Sequence, residues 1–90
     1  MEDVMEKYLF IAFRSREHTI KFYEIMKSRR IQAAVINTPK EAEAGCGLSV
    51  RFSERQKNSV TALTERYSFS SFIGIFEAVS DGERKYVRPV

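Results

Sequence analysis

The apolar residues of this chain change their spacing along its length, and the order of those changes restricts the fold more tightly than any other feature. Lys7-Tyr8-Leu9-Phe10-Ile11-Ala12-Phe13 is apolar on both faces, rich in aromatics and too short for a buried helix, so it reads as a central strand. From Arg16 to Arg30 the apolar residues fall at Ile20, Phe22, Tyr23, Ile25 and Met26, a helical stripe. Ser15 precedes that stripe as an N-cap, because its side-chain oxygen can accept from a free N–H of the first turn. Lys27, Arg29 and Arg30 suit the negative C-terminal end of the same helix. Ile31 to Ile36 is a second strand.

Thr38-Pro39-Lys40-Glu41 carries three helix-start signals: a capping residue, a proline at the first helical position and an acidic residue that completes a capping box. Gly45 stops that helix at once, which predicts a single turn. Leu48-Ser49-Val50-Arg51-Phe52 alternates strictly, placing Leu48, Val50 and Phe52 toward the core and Ser49 and Arg51 on the opposite face. Ser53-Glu54-Arg55-Gln56 is another capping box, opening a helix whose Val60, Leu63 and Tyr67 share a stripe. After a loop at Ser68 to Ser71, Phe72 to Val79 is a fourth strand, and the Asp81-Gly82 turn signal allows the tail to pair as an added edge strand. The order is β-α-β-β-α-β. It predicts an α+β, ferredoxin-like sandwich with an antiparallel sheet of order 4-1-3-2 and both helices on one face.

Ninety residues make one domain, here residues 1–80 with a charged tail at 81–90. A chain this short buries only about 60–65% of its unfolded surface, so the core is thin. No apolar run approaches the roughly 20 residues that span a bilayer, and the N-terminus Met1-Glu2-Asp3-Val4 is acidic, unlike the basic start of a secretory signal. One cysteine cannot form an internal disulfide, which fits a reducing compartment; the expected location is the cytoplasm, with no membrane partner. Fifteen Lys and Arg against twelve Asp and Glu leave a net charge of +3, spread along the chain. The densest basic runs, Lys27-Ser28-Arg29-Arg30 and Arg84-Lys85-Tyr86-Val87-Arg88, read as a solvated helix end and a loose tail.

Cys46 is the distinctive residue. A lone intracellular cysteine usually acts as a small buried hydrophobe. Cys46, however, sits between Gly45 and Gly47 just after a terminated turn, where backbone N–H groups can turn toward the sulfur and a partner can approach it. One Cys and one His cannot build a tetrahedral zinc site within a single chain. The chain also lacks a dinucleotide fingerprint, a phosphate-binding loop and a protease signature, so no cofactor is expected. His18 lies in the first turn of helix one, where a polar residue needs no special role.

Taken in order, Ser15, His18, Thr38-Pro39-Lys40-Glu41 and Cys46-Gly47-Leu48 resemble the selenium/sulfur (Se/S) carrier protein-like family over about residues 8 to 79. That resemblance implies a carrier or sulfurtransferase-like accessory protein more than a stand-alone enzyme. Its cysteine would hold sulfur or selenium as a persulfide or selenosulfide, between a cysteine desulfurase-like donor and an acceptor protein. Gly45 departs from the family pattern, where a small polar residue is common, and the tail after Asp81 has no family counterpart.

The expected sheet supplies a physical reason for such a role. With strands one and three as antiparallel neighbours, Cys46 lies beside the start of helix one, near Arg14, Arg16, His18 and a positive helix end, with Lys40 adding to the field. Such surroundings favour a reactive thiolate. Two other classes compete. RNA binding would need exposed aromatics on strand three, where Ser49 and Arg51 stand instead, which speaks against a nucleic-acid partner. A regulatory module could dimerise through an open face of Tyr8, Phe10, Ala12 and Arg51, making a homodimer.

Overall fold

The computed structural model describes residues 6–42 and 44–90; the acidic N-terminal residues 1–4 noted above lie outside them. Five strands, β1 (Glu6–Phe13), β2 (Ala34–Asn37), β3 (Leu48–Phe52), β4 (Phe72–Ser80) and β5 (Lys85–Pro89), alternate with two helices, α1 (Arg16–Ser28) and α2 (Lys57–Tyr67). The protein is α+β. Every neighbouring pair of strands is antiparallel, and the order across the sheet is β2-β3-β1-β4-β5. The sheet has five strands where a four-stranded one of order 4-1-3-2 was expected, because the charged tail pairs along β4 as an added edge. Asp81 makes that return possible: its Oδ1 accepts from the N–H groups of Glu83 and Arg84 at 3.0 and 2.8 Å, and Arg84 O accepts from Asp81 N–H. Among the described residues no helix is long and apolar enough to cross a membrane.

Both helices bury their stripes against one side of the central strand. Phe22 and Met26 of α1 and Val60 and Leu63 of α2 join a single core cluster with Leu9, Ile11, Phe13, Val50 and Phe52. This is the alternation of β1 and β3 expressed as burial, since Leu9 stands opposite Phe52 and Ile11 opposite Val50. Helix α1 starts at Ser15, whose extended backbone and side-chain oxygen, accepting from His18 N–H at 3.1 Å, form the cap. It ends in a Schellman motif. The N–H of Arg30 bonds Lys27 O and that of Ile31 bonds Met26 O, with Arg30 left-handed at φ 62°. The second capping box behaves differently. Ser53 makes no side-chain cap bond, and the chain first takes a 3-10 turn (Glu54–Gln56) before α2.

The opposite side of the sheet is not open. Phe10, Ala12 and Ser49, whose side chains point there, are all fully buried. Their cover includes the β2–β3 connection. It begins over Ser49, where Thr38 Oγ1 meets Ser49 Oγ at 2.6 Å, and its 3-10 turn (Lys40–Ala42) packs on β5 at the far edge. It then returns to the end of β1, where Cys46 N–H donates to Phe13 O. Two expectations are corrected. Ser49 faces a covered interior and not solvent, and Phe10 and Ala12 belong to a second buried layer instead of an open apolar face. Arg51 is exposed as expected, stacked on the Tyr8 ring at 4.1 Å.

One buried charge ties the added strand to the rest. Glu77, only 4% exposed, accepts from Arg88 of β5 at 2.7 Å and pairs with Lys7 of β1 at 3.2 Å; Lys7 also reaches Glu54 at 3.2 Å. The Arg88 guanidinium first and Lys7 second hold the Glu77 carboxyl below its usual range. With the folded value below the unfolded one, the stabilisation is present above the ordinary carboxylate range and is lost as pH falls through the folded value. Glu77→Gln is therefore expected to lower the urea midpoint at neutral pH and to flatten its decline on acidification. An unchanged acid limb in the variant would refute this.

Candidate functional site

Cys46 is half-buried at the end of the long β2–β3 connection, held there by its own N–H on Phe13 O at 3.2 Å. Both flanking glycines lie in the left-handed region, Gly45 at φ 82° and Gly47 at φ 95°. Their reasons differ. A Cβ on Gly45 would stand 2.8 Å from Phe13 O, whereas nothing lies within 4 Å of one on Gly47. Gly45 is needed for close approach and for conformation, and Gly47 for conformation alone. Gly47 O in turn accepts from Thr38 N–H at 2.8 Å, closing the base of the connection.

The thiol points at the first turns of α1. Its sulfur lies 3.6 Å from Thr19 Oγ1 and 3.7 Å from Leu48 O. Thr19 is fully buried, and its hydroxyl also reaches Ser15 O at 3.1 Å. Ser15 O already accepts the Thr19 backbone N–H, again at 3.1 Å. The Thr19 hydroxyl can therefore turn from Ser15 O to the sulfur without leaving that carbonyl unpaired. In the thiol form the S–H has an acceptor in Leu48 O. In the thiolate form Thr19 has a donor to offer.

A second cluster lies alongside, built on the same helix start. His18 Nδ1 and Ser71 Oγ are 2.6 Å apart, Ser71 Oγ accepts from Ser15 N–H at 3.2 Å, and the His18 ring stacks on Phe69 at 4.9 Å. Ser71 O also accepts from Arg14 N–H at 2.8 Å. Ser15 and His18 thus fix the helix start that Cys46 faces, one as cap and the other as a tether to the loop before β4. Arg14, Arg16 and Lys40 are exposed, and among the described residues the hydrogen-bond partners of the sulfur are Thr19 and Leu48 alone. Thr38 lies on Ser49, and among the described residues its hydroxyl bonds neither the thiol nor the start of the 3-10 turn. Among the described residues no group of three or more His, Cys, Asp or Glu is placed to hold a metal ion.

Sequence reasoning missed Thr19 and Ser71. Thr19 had a usable signal, since a threonine four residues after an N-cap can bond back to that residue's carbonyl. Ser71 had none, being one of three serines in a loop.

Residues 7–71 match the family described as "Putative Se/S carrier protein-like". The chain belongs to that family. No curated protein and no solved structure matches it. For this Se/S carrier-like chain the matched span begins within β1 and ends at Ser71, so it contains Cys46, Thr19, the whole β2–β3 connection and both helices, while β4 and β5 lie beyond it.

Proposed function

We propose that this protein carries sulfur or selenium on Cys46. The observation that bears most weight is a half-buried thiol fixed at a helix start, beside a buried hydroxyl free to turn toward it. Membership of the Se/S carrier-like family supports the same reading. Loading is a redox-neutral exchange. The Cys46 thiolate attacks the outer sulfur of a donor persulfide, a new S–S bond forms as the old one breaks, and the donor cysteine leaves as its thiolate. Delivery to an acceptor thiol repeats the step in reverse roles. A cysteine desulfurase-like enzyme is the donor class that this chemistry needs, in a reducing, cytoplasmic setting. The element order is read as a ferredoxin-like core extended by β5, in which the meeting of β1, β3 and α1 presents the thiol. Gly45, Gly47, Ser15 and His18 shape that presentation and the Thr38 N–H closes the base of the connection on Gly47 O, with Arg14, Arg16 and Lys40 contributing a diffuse positive field.

The test is intact mass after incubation with a cysteine desulfurase and cysteine. Wild type should gain sulfur atoms that a reductant removes, and Cys46→Ser should fold and gain none. A wild-type protein that gains none, or a variant that gains as much, refutes the carrier reading. Thr19→Val should slow alkylation of Cys46 at neutral pH by roughly three- to tenfold, the net worth of one ordinary hydrogen bond and fitting a long contact to sulfur, while Thr19→Ser restores it. Equal rates in the two variants would remove Thr19 from the account.

A further inference from the structure

The basic run Lys27-Ser28-Arg29-Arg30 is not used by the thiol site, and the fold gives it a setting that its sequence did not show. Arg29, Ile31, Ser59, Ala62, Leu63 and Arg66 line a groove of about 470 Å³ between the end of α1 and the outer side of α2. A second groove of about 420 Å³, bounded by Tyr23, Lys27, Arg30 and Gln32, adjoins it across Ile31. Among the described residues no acidic side chain lies within ion-pair distance of Lys27, Arg29, Arg30 or Arg66. Four cations therefore surround an apolar floor, and none of them is in an ion pair among the described residues.

The helix dipole explains why Lys27 and Arg66 sit in last turns. It does not explain Arg30, which occupies the left-handed position of a Schellman motif where glycine is the residue without strain. A long cationic side chain kept at a strained position points to a use for that side chain.

We propose that this double groove docks a partner protein through an apolar side chain flanked by carboxylates. Charge complementarity selects the acidic partner, and the Ile31, Ala62 and Leu63 floor selects the apolar anchor. Nucleic acid fits less well. The aromatic rings at hand already hold cations of this chain, Tyr23 that of Lys27 at 5.5 Å and Tyr67 that of Arg66 at 5.9 Å with Arg29 on its hydroxyl at 3.2 Å, which leaves them less free as stacking platforms for bases. The groove lies about 15 Å along α1 from Thr19, ten residue steps to Arg29 at the helical rise, so it is separate from the surroundings of the Cys46 thiol. The proposal stands independently of what Cys46 carries.

The probe is a capped pentapeptide with one leucine between pairs of glutamates, titrated into the full chain while backbone amide resonances are followed. Saturable shifts are expected at Arg29, Ile31, Leu63 and Arg66. Arg29→Glu with Arg66→Glu should weaken binding at least tenfold in a protein whose spectrum remains folded; if the pair disturbs the fold, Arg66→Glu alone should weaken it severalfold. Arg30→Gly should raise the thermal midpoint and weaken the peptide together. Three results overturn the proposal: no saturable shift at the groove, equal binding of the glutamine version of the peptide, or saturable binding there of a single-stranded RNA oligomer without binding of the peptide.

Discussion

Val50→Asp is expected to unfold the domain. Val50 is fully buried at the centre of β3, opposite Ile11 on one side and Val35 on the other, within the cluster that receives both helices. A carboxylate there loses its hydration and gains no cation, at a cost of more than about 4 kcal/mol whether it stays charged or takes up a proton. A small domain holds only about 5–10 kcal/mol of net stability, so circular dichroism should show little native signal at ambient temperature. Arg51→Ala, one residue away, removes an exposed side chain and its stacking on Tyr8, for about 0.5–1 kcal/mol. If the two variants were equally stable, the facing of β3 described above would be wrong.

Gly45→Ala is the second large effect and reads on the thiol site itself. Its methyl group would enter a left-handed residue and press on Phe13 O at 2.8 Å, and that carbonyl already holds Cys46 N–H. The main chain must shift, for about 2–3 kcal/mol in denaturant unfolding, and the anchoring bond of Cys46 weakens with it. Gly47→Ala meets open space and should cost about 1–2 kcal/mol from conformation alone. Alkylation of Cys46 should change more in Gly45→Ala than in Gly47→Ala. The reverse order would mean that Phe13 O does not fix the thiol.

What could be read without coordinates follows how local each cause is. The Ser15 cap and the facing of Val50 and Phe52 depend on the next few residues, and their sequence patterns carried them. Ser49 was misread for a non-local reason. It alternates outward as expected, yet a connection from the far end of β2 lies over it and supplies Thr38 as its partner. Thr38 was misread for the complementary reason, as a local cap whose hydroxyl had a tertiary use. The cations expected around Cys46 were placed by the antiparallel pairing of strands one and three, which fixes backbone neighbours and not the direction of long side chains. Arg14, Arg16 and Lys40 are exposed, and among the described residues the hydrogen-bond partners of the sulfur are a neutral hydroxyl and a carbonyl. Family membership was legible because its signature is an ordered set of short motifs, each weak alone.

The two rims of the sheet bear on how the chain behaves at high concentration. An exposed strand edge is a template on which another chain can extend the ladder. Here β2 offers only four residues, Ala34–Asn37, and β5 carries Lys85 and Arg88 and ends on Pro89, which has no N–H to donate. Short on one side and charged and proline-stopped on the other, the ladder resists growth by stacking copy on copy. Neither edge therefore offers a long, uncharged ladder on which a second copy of the chain could add strands.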